Sequence, residues 1–242
     1  VIEFSGQGIL LDIEGTTSSV RFVYDVMFPF ARRELDRFLE EHADRSDVVE
    51  ACDLVAREVG YCSLADWSPE PDLRRAVIRD EVNRLMDVDS KSTGLKQLQG
   101  LIWQSGFASG ELLAHVYDDV VPALEDWTRR GKDIRIYSSG SVQAQRLFFE
   151  HTVHGDLRRL FQGYYDTTVG PKRAPESYSV ILEDYRLPAP EVLFLSDVPA
   201  ELDAAKQAGL ATGWCVRNEN IMADVRCDHS IIRTFAEVRI SG

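Results

Sequence analysis

The sequence predicts an α/β protein built on a doubly wound parallel sheet, with an all-helical domain inserted just after the first core strand. Three observations lead there. Short apolar segments at residues 8–11, 134–137 and 192–195, the second interrupted only by Arg135, each end in polar residues: Asp12, then Ser138-Ser139, then Ser196-Asp197. Such runs suit strands covered on both faces, and helical patterns between the second and third suit the crossovers of a parallel sheet. Residues 18–119 carry no comparable run and follow a 3.6-residue period instead, as in Phe30, Leu35, Phe38 and Leu39. The core therefore takes residues 1–17 and 120–242, and the helical insertion takes 18–119. Open parallel sheets bind ligands beyond the carboxyl ends of their strands, so Asp12, Ser138, Ser139 and Asp197 are expected to converge. An insertion that leaves after the first strand and returns before the second forms a cap above that edge.

Composition narrows the function. A chain of 242 residues with 44% hydrophobic and 28% charged residues can bury a sizeable core, which excludes a disordered protein. The net charge of −13 excludes a general affinity for nucleic acid or anionic lipid. A phosphorylated ligand must then be met by local cations. Cysteines 52, 62, 215 and 227 show neither metal-ligand spacing nor the density of a disulfide scaffold, and read as free thiols of a reducing compartment. The run at 8–11 is too short for a secretion signal, and no stretch approaches the ~18 apolar residues of a membrane span. A soluble, cytoplasmic protein is expected.

At the first strand, Leu10-Leu11-Asp12-Ile13-Glu14-Gly15-Thr16-Thr17 places an acid at a strand end and a second two positions later. A carboxylate attacks phosphorus competently once a metal and cations neutralise the phosphate, which suits Asp12. Glu14 can return to the same site through the turn as general acid, then as base to water. Taken alone, the octapeptide is equally compatible with a turn-starting Asp12 and a solvated Glu14. After the second strand, Tyr137-Ser138-Ser139-Gly140-Ser141 runs into a helical pattern at 142–150. Unpaired amides at a helix start, with a serine hydroxyl, bind phosphate; capping by Ser139 or Ser141 is the simpler use of the same residues.

Next, Gly170-Pro171-Lys172-Arg173-Ala174-Pro175 places Pro175 at the first turn of a helix reaching Tyr185 and Lys172 just before it. The Lys172 ammonium could neutralise phosphate oxygens together with Asp12, though a lone loop lysine usually faces solvent. At the third strand, Ser196-Asp197-Val198-Pro199-Ala200-Glu201 opens another helix, stopped by Gly209. Asp12, Asp197 and the backbone carbonyl of Glu14 make a few-carboxylate oxygen set of the kind magnesium prefers. Glu201 either holds a metal-bound water or faces solvent. In the insertion, Lys96, Gln99 and Trp103 share one helix face that could meet a substrate, or could simply be amphipathic.

The order and positions of these segments resemble the haloacid dehalogenase-like superfamily, whose phosphatases carry Asp-x-Asp, Ser or Thr, Lys and Asp in that sequence. Glu14 stands where most members have aspartate. That departure, with Tyr137-Ser-Ser-Gly-Ser-Val-x-Ala-Gln145 and Phe194-Leu-Ser-Asp-Val198, is similar to the enolase-phosphatase family of methionine salvage, also called acireductone synthases. Lys91-Ser-Thr-Gly-Leu-Lys96-Gln-Leu-Gln-Gly100, Trp103 and Asp119-Val-Val-Pro-Ala123 resemble that family's cap and return segment; Gly94 stands where the family pattern leads one to expect a small apolar residue, a departure of little consequence. The resemblance implies a Rossmann-like core, one Mg2+ per subunit on Asp12, Glu14 and Asp197, and substrate phosphate on Ser138, Ser139 and Lys172. It further implies a monomer acting on 2,3-diketo-5-methylthiopentyl-1-phosphate, which it enolises and then dephosphorylates. A capped phosphatase or phosphomutase for another metabolite, a dehalogenase, and a catalytically silent binding protein of the same fold are the competing readings.

Overall fold

The computed structural model describes residues 1–218 and 228–241. In chain order these form β1 (Ile2–Phe4), β2 (Gly8–Leu11), α1 (Val20–Phe22), a π-helical turn (Val23–Met27), α2 (Phe28–His42), α3 (Ser46–Glu58), α4 (Leu64–Trp67), α5 (Pro71–Asp87) and α6 (Thr93–Ser109). There follow α7 (Val120–Arg129), β3 (Asp133–Tyr137), α8 (Val142–Glu150), β4 (Gly163–Tyr165), α9 (Pro175–Tyr185), β5 (Val192–Ser196), α10 (Pro199–Gln207), β6 (Ala211–Cys215), β7 (Ser230–Ile232) and β8 (Val238–Ile240). Two compact units result: Val1–Phe22 with Leu113–Gly242, and Val23–Leu112.

The first unit holds a six-stranded parallel sheet in the order β4-β3-β2-β5-β6-β7. Strand order runs outward in both directions from β2, the doubly wound arrangement the apolar runs predict. Every residue of β2 and β5 is buried, and that is why both lack polar alternation. Prolines mark the first turns of α9 and α10, where a missing N–H costs nothing. Around β5, Tyr178, Ile181, Tyr185, Phe194, Leu202 and Trp214 form the core on which these helices seat. A separate parallel pair, β1 with β8, joins the two ends of this unit.

The second unit is helical throughout its described elements. Its α6 starts on a Ser92 cap, whose Oγ accepts from the Leu95 amide at 3.0 Å, and stops at Gly110 with φ of 76°. Residues 18–22 and 113–119, which periodicity assigns to the insertion, lie instead in the first unit. The cause is hydrogen bonding: the Tyr117 amide donates to the Thr17 carbonyl at 3.1 Å, and the Ser19 amide donates to His115 Nδ1 at 3.1 Å. Cys52, Cys62 and Cys215 are free thiols, and Cys227 lies outside the described residues. No helix among the described residues is long and apolar enough to cross a membrane.

Candidate active site

Parallel register brings the carboxyl ends of β2, β3 and β5 side by side, with Leu11 opposite both Ile136 and Leu195. Just beyond those positions come Asp12, Ser138 and Ser196. Asp12 continues the β2 ladder, its amide donating to the Leu195 carbonyl at 3.0 Å, and the residue is 3% exposed. Three groups hold its carboxylate. The Ile13 amide donates to Oδ1 at 2.8 Å, Lys172 Nζ lies 2.7 Å from Oδ1, and Ser196 Oγ lies 3.2 Å from Oδ2.

Lys172 is 9% exposed, so the solvent-facing alternative for it does not hold. Its loop is tied down by the Tyr137 hydroxyl donating to the Gly170 carbonyl, Ser177 to Pro171, and Tyr178 to Lys172 itself, at 2.9, 2.8 and 2.7 Å. The ammonium also lies 2.7 Å from Glu201 Oε2, which in turn sits 3.1 Å from Ser196 Oγ. Asp12, Lys172, Glu201 and Ser196 therefore close a ring of contacts. Glu201 faces this ring and not solvent. Ser196 is the member to which sequence reading gave no role; its place between a buried strand and Asp197 was the available signal.

Glu14 lies nearby, with Ser138 Oγ donating to its Oε2 at 3.3 Å. Ser138 Oγ itself accepts from the Gly140 amide at 3.3 Å, and Gln145 Nε2 holds the Gly140 and Tyr165 carbonyls at 2.7 and 2.8 Å. The loop after β3 is thus braced from beneath. Ser141, not Ser139, caps α8 by accepting from the Ala144 amide at 3.2 Å. Ser139 is exposed on the same loop. Asp197 follows β5, and its carbonyl accepts from the Trp214 indole at 2.9 Å.

The electrostatics follow from crowding. Burial, reinforced by the negative charge of Asp12, raises the Glu14 and Glu201 carboxyls above the usual range and pushes Asp197 up to about 7. Burial works against the Lys172 ammonium, but Asp12 and Glu201 outweigh it and hold the group above its ordinary value. Four carboxyl groups thus share one ammonium. Among the described residues no three His, Cys, Asp or Glu side chains gather as a metal cluster, so any cation here would need a backbone oxygen as well. Lys96, Gln99 and Trp103 belong to α6 in the second unit. Lys96 is exposed, Gln99 is buried, and the Trp103 indole donates to the Met27 carbonyl at 2.8 Å.

A parallel sheet that sets a buried strand-end aspartate against a lysine from a crossover loop, with a second aspartate one strand away, defines a haloacid dehalogenase-like hydrolase. The profile of that family matches residues 7–209. Enolase-phosphatase E1 of Pseudomonas aeruginosa is 44% identical over 232 residues, covering 96% of this chain and 97% of its own. That of Pseudomonas syringae is 43% identical over 230 residues, covering 95% and 96%. The chain belongs to the enolase-phosphatase family of these hydrolases. Among solved structures, the UTR4 protein of Saccharomyces cerevisiae superposes with a TM-score of 0.78 at 32% identity, covering 95% of this chain and 98% of its own.

Proposed function

We propose that the chain converts 2,3-diketo-5-methylthiopentyl-1-phosphate into the acireductone 1,2-dihydroxy-3-keto-5-methylthiopentene and phosphate, the enolase-phosphatase step of methionine salvage. Family membership over nearly the whole chain supports the substrate. The ring joining Asp12 to Lys172 and Ser196 supports the chemistry and is the single observation that carries it.

Hydrolases of this family generally require a divalent metal. The donor set suits one: Asp12, Asp197 and the Glu14 carbonyl are hard oxygens, and four carboxyl groups against one ammonium leave an excess of buried negative charge that a divalent cation offsets. We assign Mg2+ to those three donors. When bound, it supplies charge neutralisation at phosphate and acidifies the substrate's C1 protons through a carbonyl oxygen.

The remaining chemistry belongs to the chain. Lys172 and the Ser138-Ser139 loop bind the phosphate oxygens, which lets an anionic nucleophile approach an anionic substrate. Glu14 takes the C1 proton during enolisation, its extra methylene carrying the carboxyl about 1.5 Å beyond the reach of an aspartate. Asp12 then bonds to phosphorus as the bond from phosphorus to the C1 oxygen breaks, and Glu14 gives that oxygen a proton. Water opens the acyl phosphate and Glu14 takes its proton, which solvent then exchanges for the one required by the enolate oxygen left at C2, so that Asp12 and Glu14 both return to their starting states with phosphate free. Glu201 and Ser196 keep Lys172 and Asp12 in register.

Mixing the purified protein, Mg2+ and the diketo phosphate, while following enol absorbance in the ultraviolet alongside released phosphate, separates the two steps. Both signals rise with wild type; phosphate release falls by a factor of about 10³ or more with Asp12→Asn. Cleavage of other phosphate esters with neither signal from the diketo phosphate would sink the substrate assignment.

A further inference from the structure

Outside the ring around Asp12, a densely bonded charged group of the first unit is Arg217, just beyond β6. It is 5% exposed. Its Nε and Nη2 both donate to the Thr16 carbonyl, at 3.1 and 2.7 Å. Its Nη1 contacts both carboxylate oxygens of Asp119, at 3.0 and 2.9 Å, and the Arg233 carbonyl at 3.1 Å. The guanidinium lies 4.4 Å from the Tyr117 ring centroid and 5.0 Å from that of Phe235. Asp119 is held in turn by the Phe235 amide, 2.6 Å from its Oδ2.

The Thr16 carbonyl belongs to the turn that carries Glu14. On the inner side of this turn the amides of Thr16, Thr17 and Ser18 all donate to the Ile13 carbonyl, at 3.2, 3.0 and 2.9 Å. Gly15, at φ of 74°, reverses the chain between them, and its amide donates to the Ser18 carbonyl at 2.7 Å. The inner side is thus knitted to itself, and Arg217 grips the turn from outside. Two donors on one carbonyl fix its direction as well as its position, and the peptide planes at 14–16 are linked through a short turn. A guanidinium can do this while reaching Asp119 with its other arm; an ammonium has neither the fork nor the span.

We infer that Arg217, oriented by Asp119, is a positioning residue for the turn at 13–18 and sets the direction of the Glu14 carbonyl toward the metal. The inference rests on the assignment of that carbonyl as a metal donor. It specifies that a residue at the end of β6, more than two hundred positions along the chain, tunes metal affinity without touching metal or substrate. Loosening the turn moves the backbone donor and leaves the phosphate-binding lysine in place, so metal binding weakens while substrate affinity holds.

The test is direct binding of Mn2+ to the full chain without substrate, read from the free-ion signal in electron paramagnetic resonance, beside thermal melts and steady-state kinetics. Arg217→Lys weakens Mn2+ binding by about ten-fold and Asp119→Asn by about three-fold, with KM for the diketo phosphate within about three-fold of wild type. Asp197→Asn serves as reference and abolishes binding. Should Arg217→Lys fail to fold, Asp119→Asn decides by the same criterion. If the variants lower the melting temperature but bind Mn2+ as wild type does, while Asp197→Asn does not, Arg217 is merely structural and the inference is overturned. If Asp197→Asn also binds normally, the metal assignment fails and takes the inference with it.

Discussion

Without metal, the protein should lose stability as pH rises toward neutrality, the reverse of ordinary acid denaturation. The cause is Asp197, whose carboxyl is raised from 3.8 to about 7 by burial and by Asp12. A group raised on folding binds more protons folded than unfolded, so its relative contribution is fully present below pH 3.8 and is lost as pH climbs through about 7. At 1.36 kcal/mol for each tenfold change the ceiling is about 4 kcal/mol, and sharing of protons within the acid cluster brings the expectation to about 2 to 4. For a chain of this size that is about 5 to 15 °C in Tm. Glu14 and Glu201 are raised as well and act in the same direction. The assay is a thermal melt in chelator at intervals between about pH 5 and about pH 7.5, repeated with Mg2+ in excess. In chelator Tm falls with pH; with Mg2+ it rises, because the ion binds ionised carboxylates of the folded state alone. A flat or rising Tm in chelator, or an equal slope in Asp197→Asn, refutes the reasoning.

Further outcomes follow from single contacts. Lys172→Met should lower phosphate release by about 10² to 10³, since the ammonium 2.7 Å from Asp12 is the cation facing the phosphate; a loss under about tenfold contradicts the role. Ser196→Ala removes the hydroxyl between Asp12 and Glu201, and kcat should fall about tenfold with little change in KM, as steady-state kinetics will show. Tyr185→Phe strips the buried Ile9 carbonyl of a donor at 2.9 Å, so urea unfolding should register a loss of about 1 to 2 kcal/mol with activity retained. In Gly94→Ala the new Cβ would sit 2.6 Å from the Val55 amide nitrogen, and the same measurement should show a loss of about 1 to 3 kcal/mol.

That last glycine shows where sequence reading stops. Within a family pattern a small apolar residue at 94 looks interchangeable with glycine, because sequence does not reveal how closely α3 and α6 approach. In this chain they meet with Val55 and the Ala51 carbonyl against position 94, and only glycine fits. Strands β2 and β5 were legible because burial on both faces leaves an unbroken apolar run, at 8–11 and 192–195. Strand β6, Ala-Thr-Gly-Trp-Cys, carries neither such a run nor clear alternation, and β4, β7 and the pair β1 with β8 are three residues each. Elements that short exist by tertiary pairing and leave little local pattern. Asp12, Glu14, Lys172 and Asp197 could be located because each follows a readable strand or precedes a proline-marked helix. The brace from Arg217 to Thr16 could not: its partners are 201 positions apart, and the acceptor is a backbone carbonyl that no side chain announces.

The position of β2 carries a consequence for how the chain reaches this structure. The strand bearing Asp12 is made before either of its neighbours in the sheet, β3 and β5, with Leu10 opposite Arg135 and Phe194. More than a hundred residues must emerge before its first ladder forms, and the closing of so long a loop has an entropic cost to be met before any contact rewards it. The helical unit at 23–112, contiguous in sequence, can gather meanwhile. A segment that the folded protein buries completely therefore waits unpaired on the nascent chain, and the centre of the sheet becomes one of the last places to find its partners.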